Sequence, residues 1–222
     1  MNNLFFNVGT NISGNKSNLT SSPFVNSLGY VVTNYIERDN SSNSFAANAE
    51  VGKYFPAIKS NASVTFSYNE SKSEMIQNNI LFDNKSESQS LGFKFNNSYF
   101  SWMSVDYNMN YNWSKQISTL TNRSLGYQHN LSTYFYPIEN HTVGFAWDQL
   151  NSGTPDNMYH NAFYDLTYQY TWSKKKIDFE LKWNNIANKK VFERYSVGAT
   201  SESYTKIQLR PSQVMFAVKF NF

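Results

Sequence analysis

Cysteine is absent from the 222 residues, so the chain has no disulfide framework and no thiolate site for metal or nucleophilic chemistry. Charge is scarce too. Asp, Glu, Lys and Arg make up 16% of residues and leave a net charge of +3, with a pI near 8.8. No basic cluster points to nucleic acid. The longest apolar run, Val214–Val218, falls far short of the ~20 residues that a membrane-crossing helix needs. No stretch keeps a 3.6-residue period over three turns, so almost no helix is expected. The opening residues, Met-Asn-Asn-Leu-Phe-Phe, contain no basic region followed by about 7–15 apolar residues, and no signal peptide is visible there. Metalloprotease, Cys-x-x-Cys, phosphate-loop and calcium-loop patterns are missing, and no cofactor is implied.

What is present is aromatic and amide. Aromatics account for 18% of residues, with 16 Tyr, 18 Phe and 5 Trp, although mean hydropathy is only −0.57. A soluble globule normally builds its core from aliphatics and its surface from Lys and Glu. Here the polar half is largely Asn and Ser, as a lipid-facing stripe with aromatic belts and a wet interior would require. The last ten residues concentrate the pattern. Val214, Phe216, Val218, Phe220 and Phe222 occupy every second position, a period of two that places them on one face of a strand.

Similar stripes recur along the chain. They run through Leu4–Ile12, a less clear segment at Leu28–Val32, Phe45–Val51, Ala62–Tyr68, Leu91–Phe95 and Met103–Trp113. Leu125–Phe135, Val143–Trp147, Ala162–Trp172, Ile177–Trp183 and the terminal stripe follow. This predicts an all-β chain of about eleven antiparallel strands, each near the ~10 residues that cross a bilayer at a tilt. The whole of 1–222 is expected to be one transmembrane outer-membrane β-barrel segment without a plug domain. Only closed barrels cross lipid without helices, because every backbone group must be paired there. A soluble sandwich also alternates, but these stripes are longer than its usual strands and gather Tyr and Trp at their ends.

Opposite faces are polar, and Asp106, Asp165, Asp178, Glu180 and Lys182 are expected to face the lumen, since charge against lipid is costly. Short connections near 55–60, 96–100, 137–140 and 173–176 alternate with polar segments near 70–87, 114–123, 149–158 and 189–208. That alternation predicts tight periplasmic turns and longer outside loops, with Phe222 at the periplasmic end. Within the loops, Asp156, Tyr159, Arg194 and Tyr195 are the expected ligand contacts, because Tyr can stack while amides and charges bond polar edges. His129 lies on a stripe near Tyr127 as an interfacial aromatic. His141 and Asp148 are too far apart on one strand to pair, and His160 adjoins the loop with Asp156. No catalytic set and no metal site is assigned.

The stretch Ile177–Phe192, containing Asn184-Asn-Ile-Ala-Asn-Lys189, and then Leu209-Arg-Pro-Ser212 leading to Phe222, resembles the C-terminal end of TonB-dependent outer-membrane receptors. Ala187 stands where that family usually has an aromatic. The richness in Asn, Ser and Tyr is similar to Bacteroidota members of this Gram-negative family. The resemblance implies that Val214, Phe216, Val218, Phe220 and Phe222 form the barrel-assembly signal. It also implies a location in the cell outer membrane and transport of an unidentified substrate. Expected partners are the lipid bilayer, the remainder of the barrel and its plug, a surface lipoprotein and a periplasmic energy-transducing protein. Since such barrels have roughly 22 strands, this chain would be half of one, the C-terminal part of something longer. The alternative is a complete small barrel acting as a porin or structural anchor, with a barrel hydrolase a further class.

Overall fold

The computed structural model describes residues 4–77, 80–118, 120–197 and 202–221, and 82% of the structure is strand. Among these residues there is no α-helix, only two single 3-10 turns at Pro56–Ile58 and Ser173–Lys175. The first nine strands are β1 (Leu4–Val25), β2 (Val31–Phe55), β3 (Ser60–Gln77), β4 (Ile80–Asn97), β5 (Met103–Ile117), β6 (Thr121–Phe135), β7 (His141–Thr154), β8 (Asn157–Trp172) and β9 (Ile177–Asn184). A small hairpin of β10 (Val191–Val197) and β11 (Glu202–Gln208) follows, and β12 (Gln213–Phe220) ends the described chain. Strands β1 to β9 and then β12 form one ten-stranded antiparallel meander. Among the described residues the sheet is open: β1 pairs only with β2, and β12 only with β9.

Why strands form here follows from the alternation, and pairing keeps it in phase from one strand to the next. Residues directly opposite one another share a face. Phe55 is level with Ser60, Asn97, Val105, Thr133, Phe145, Leu166, Trp183 and Val214 in a single row across nine strands. Rows like this collect nearly all the apolar and aromatic stripes on one face. Most Asn, Ser and Thr, with charges such as Glu50, Lys94, Asp106 and Glu180, collect on the other, while Lys53 and the upper row of Glu70, Glu87, Lys115 and Arg123 share the apolar face.

The rows also show a steady stagger. Phe55 ends β2 on the row of Val214, six residues above Phe220, although both chain ends lie along the same edge of the sheet. Six residues over eight strand spacings corresponds to strands inclined by roughly 30° to that edge. The edge itself carries the tight turns. Lys59 and Lys176 close matching turns in the left-handed conformation (φ 41° and 53°), each donating its N–H to a carbonyl three residues back, Pro56 and Ser173. Asn140 (φ 63°) takes the same left-handed conformation before β7, where the next residue, His141, donates its N–H to the Ile138 carbonyl.

The opposite edge departs from expectation. Within the polar segments at 70–87, 114–123 and 149–158, residues 70–77, 80–87, 114–117, 121–123, 149–154 and 157–158 are not loops but upward continuations of β3, β4, β5, β6, β7 and β8. Leu28 and Tyr30 belong to a tight turn rather than to a strand. Their N–H groups donate to Asn26 Oδ1 at 3.0 and 2.9 Å, and Gly29 takes a φ of 82° that other residues adopt at a cost. The described residues contain twelve strands where the stripes suggest about eleven: of Leu28–Val32 only Val31 and Val32 are strand, at the start of β2, and within 189–208 Val191–Val197 and Glu202–Gln208 pair as the β10–β11 hairpin. Phe222 lies outside the described residues.

Candidate functional site

The polar face begins as a ladder of short side chains bonded across strands. Ser13 and Ser44 hydroxyls meet at 2.6 Å, Ser67 and Ser90 at 2.7 Å, and Ser114 and Ser124 at 2.5 Å. The Asn96 amide bonds Asp106, and the Asn130 amide donates to Asp148 at 2.5 Å. Glu180, only 7% exposed, sits between Lys182 (3.0 Å) and Lys219 (2.7 Å), which offset the cost of covering its charge. The Asn221 amide donates to Asp178 at 3.0 Å. Asp106, Asp165, Asp178, Glu180 and Lys182 therefore all fall on one face of the sheet, as their parity in the sequence requires.

Above Leu166, β8 loses β9 as a neighbour, because β9 pairs only with Leu166–Trp172. The Asn-rich segment after β9 takes over this free edge. Asn185 (φ 52°) donates its N–H to Asp165 Oδ1 at 2.6 Å, Ile186 N–H reaches the Tyr164 carbonyl at 2.8 Å, and Lys189 Nζ reaches that of His160 at 2.8 Å. The Asn185 amide closes the segment on itself through Lys189 N–H (2.8 Å) and Lys189 O (2.9 Å), and also donates to Arg210 O at 3.1 Å. Asn188, likewise left-handed, accepts from Ser212 N–H at 3.1 Å. These asparagines form a clamp that brings the chain back to β12.

The clamp directs the β10–β11 hairpin onto the polar face, over β6, β7 and β8. Asn161, fully buried on β8, holds both backbone groups of Glu193, donating to its carbonyl at 2.7 Å and accepting from its N–H at 3.1 Å. Tyr195 N–H donates to Ser152 Oγ at 3.1 Å. A trio of rings completes the contact, with Tyr159 stacked on Tyr195 at 6.3 Å and against Tyr204 at 5.2 Å. The Tyr204 hydroxyl donates to Glu193 Oε1 at 2.5 Å, and this bond to a carboxylate pushes its pKa up to about 12. Glu202 raises that of Tyr195 in the same way.

Between Glu193 and Tyr195, the Arg194 side chain lines a hollow of about 400 Å³. Residues of β3 to β7 form the rest of its wall, Ser67, Asn112, Ser114, Gln128 and Ser152 among them. A second, more open cleft of about 550 Å³ lies at the far edge between Asp156, Arg123 and Tyr195. Of the four expected ligand contacts, Tyr159 and Tyr195 thus stack directly, Tyr195 and Asp156 share the outer cleft, and Arg194 enters the inner hollow. Only Asp156 is in a turn; Tyr159, Arg194 and Tyr195 stand on strands, a correction to the expectation of loops. Sequence reasoning did not find Asn161, Ser152 or Asn185, whose clamp positions only the Asn-Asn-x-x-Asn-Lys pattern hints at.

On the aromatic face, Val214, Phe216, Val218 and Phe220 project beside Trp183, Leu181, Phe179 and Ile177, with Phe179 and Phe216 stacked at 6.4 Å. His129 belongs to this face as well, 5.7 Å from Trp147 and bonded through Nδ1 to the Tyr107 hydroxyl at 2.8 Å. His141 contacts Tyr170 and bonds Tyr168, while His160 Nδ1 bonds Asn151 Oδ1 at 2.7 Å rather than Asp156. Among the described residues no group of three or more His, Asp or Glu could hold a metal ion. No family model matches the chain, and no curated protein matches it in sequence.

Proposed function

We propose that this chain is wall of an outer-membrane β-barrel, with the aromatic face against hydrocarbon and the polar face lining an aqueous passage, in an uptake system of the TonB-dependent type. The uncovered aromatic face is what carries the proposal. In a soluble sandwich a second sheet would cover it. Among the described residues only the small hairpin packs on the sheet, and it lies on the polar side. Phe6 and Phe216 remain 69% and 66% exposed, far from what water tolerates over a face of ten strands.

The dimensions of that face match lipid. In β3 it runs from Ser60 to Tyr68, and in β8 from Trp172 to Tyr164, about 26 Å along the strand against a barrel's apolar band of about 25 Å. At the turn edge Tyr99, Phe100, Trp102 and Phe135 form a chain of ring contacts of 4.9, 5.2 and 6.3 Å. At the other limit the row of Tyr68, Gln89, Trp113 and Leu125 is followed at once by Glu70, Glu87, Lys115 and Arg123. Rings and then charges are what an interface with water selects. The stagger of the rows supports the tilt that barrel closure needs. Transport of the TonB-dependent type is supported by the resemblance of 177–222, with the Asn clamp giving those residues a physical role.

Open edges in lipid are not viable, so β1 and β12 require partners, and further barrel strands would supply them. A second arrangement is favoured by one observation: ten alternating strands leave β1 and β12 antiparallel, so they could pair with each other in a small barrel. Cysteine pairs scanning Asn7–Asn11 against Met215–Lys219 separate the two. Crosslinking within one chain after insertion into phosphatidylcholine vesicles indicates the small barrel, whereas its absence in a protease-protected chain indicates a larger wall. Failure to insert at all, with strands retained in detergent, would sink the membrane assignment.

A further inference from the structure

We propose that the Arg194 hollow binds a small, hydroxyl-rich solute bearing a carboxylate, of the size of a sugar acid. Its part in uptake rests on the barrel proposed above, but the binding site stands on its own geometry. The backbone on both sides of Arg194 is held, at Glu193 by the buried Asn161 amide and at Tyr195 by Ser152. The Glu193 carboxylate is engaged by Tyr204. Among the described residues Arg194 makes no ion pair and no side-chain hydrogen bond. An exposed guanidinium on a held backbone and without a counter-charge offers a planar fork for a carboxylate.

The rest of the hollow determines what could carry that carboxylate. Among the described residues no Asp, Glu or Lys lines it, so none of them competes for the guanidinium or attracts a cation. Ser67, Ser114, Ser152, Asn112 and Gln128 present hydroxyls and amides that both donate and accept. Trp113, Leu125, Tyr127 and Leu150 complete the lining, and hydroxyls and amides interspersed with apolar atoms suit a ring that carries hydroxyl groups on a C–H framework. About 400 Å³ is within the range of small-molecule sites and has room for one or two sugar rings.

Isothermal titration of the full chain in detergent with D-glucuronate, D-glucose and inorganic phosphate tests this. Glucuronate should bind at least about ten-fold more tightly than either other probe, because only it uses both the guanidinium and the hydroxyl wall. Arg194→Gln should remove that margin and leave glucose unchanged, Arg194→Lys should retain part of it, and Ser114→Ala should weaken glucuronate modestly. Protease resistance of the hairpin would show that each variant keeps the docked structure. Equal binding of glucose and glucuronate, phosphate binding as tightly as glucuronate, unchanged affinity in Arg194→Gln, or no heat with glucuronate would each overturn the site. Vesicle insertion is scored separately: a chain that inserts but does not bind loses only the site, and one that binds but does not insert loses only the barrel.

Discussion

The β1–β2 hairpin and the β10–β11 hairpin solve opposite problems. The first has arms of 22 and 25 residues, and one irregularity near Ser17 is the only break in its pairing. Its exposed upper part is held by a backbone ladder, a cross-strand Ser13–Ser44 bond and a turn organised by Asn26. The second has arms of only seven residues and would be marginal alone. It keeps its place because Asn161, Ser152 and Lys189 tie its backbone, or the segment leading to it, to the sheet. Length lets a ladder sustain itself, while a short element needs side-chain anchors in a particular spot. The sheet should thus respond to the polarity of a residue and the hairpin to its identity.

The largest effect is expected on the sheet. Val218→Arg places a charge on the aromatic face and should cost about 2–4 kcal/mol in a lipid-folding assay, whereas Ala217→Arg on the polar face should be milder. Equal tolerance would erase the difference between the faces. Next is Asn161→Leu, which keeps the branching of the side chain but leaves the Glu193 N–H and carbonyl unpaired. It should destabilise docking by about 1–3 kcal/mol, read as faster proteolysis within 191–208 with little change in far-UV circular dichroism. Loss of strand signal across the whole chain would show that hairpin and sheet fold as one unit.

Asn185→Ala should have a smaller effect, about 1–2 kcal/mol, through both the left-handed backbone and the lost amide bonds. Asn185→Gly separates these contributions, since it keeps the conformation and removes the bonds. A glycine variant as stable as the parent would mean that the clamp bonds contribute nothing. The smallest effect concerns pH. Tyr204 has its pKa raised from 10.0 to about 12 by Glu193, so its stabilising bond is fully present below pH 10 and is lost as pH rises through 12. Hairpin protection against proteolysis by an alkali-tolerant enzyme, or its hydrogen exchange, should fall over that window in the parent. In Tyr204→Phe the alkaline transition should shrink to the part contributed by Tyr195, whose pKa Glu202 also raises.

Much of the sheet was legible in the chain. Each strand on the apolar face carries a stripe of Val, Phe, Tyr or Trp, and the tight turns fall where the stripes stop. The upper strand extensions were not legible. Hydrophobic alternation reports burial of one face, and Glu70-Ser-Lys-Ser73 buries neither. That segment is strand because its backbone pairs with β4, and because Lys85 reaches Glu70 diagonally at 3.3 Å while Glu70 and Lys72 meet at 2.9 Å. These bridges offset the like charges that register puts directly opposite, Glu70 with Glu87 and Lys72 with Lys85.

The candidate site was legible only in outline. Arg194 and Tyr195 stood out as charge and ring in a polar segment, yet their neighbours could not be read. Tyr159 is 36 positions before Tyr195 in the chain and Ser67 is 127 before Arg194. Nothing local records that they share a site. By itself the sequence determined the two faces and the apolar band between aromatic limits, because a period of two follows from strand geometry whatever the partner. Only the tertiary structure decided where the hairpin lies and what surrounds Arg194. Those depend on Asn161 and Ser152 meeting a backbone over 30 residues away, and chain composition does not encode that distance.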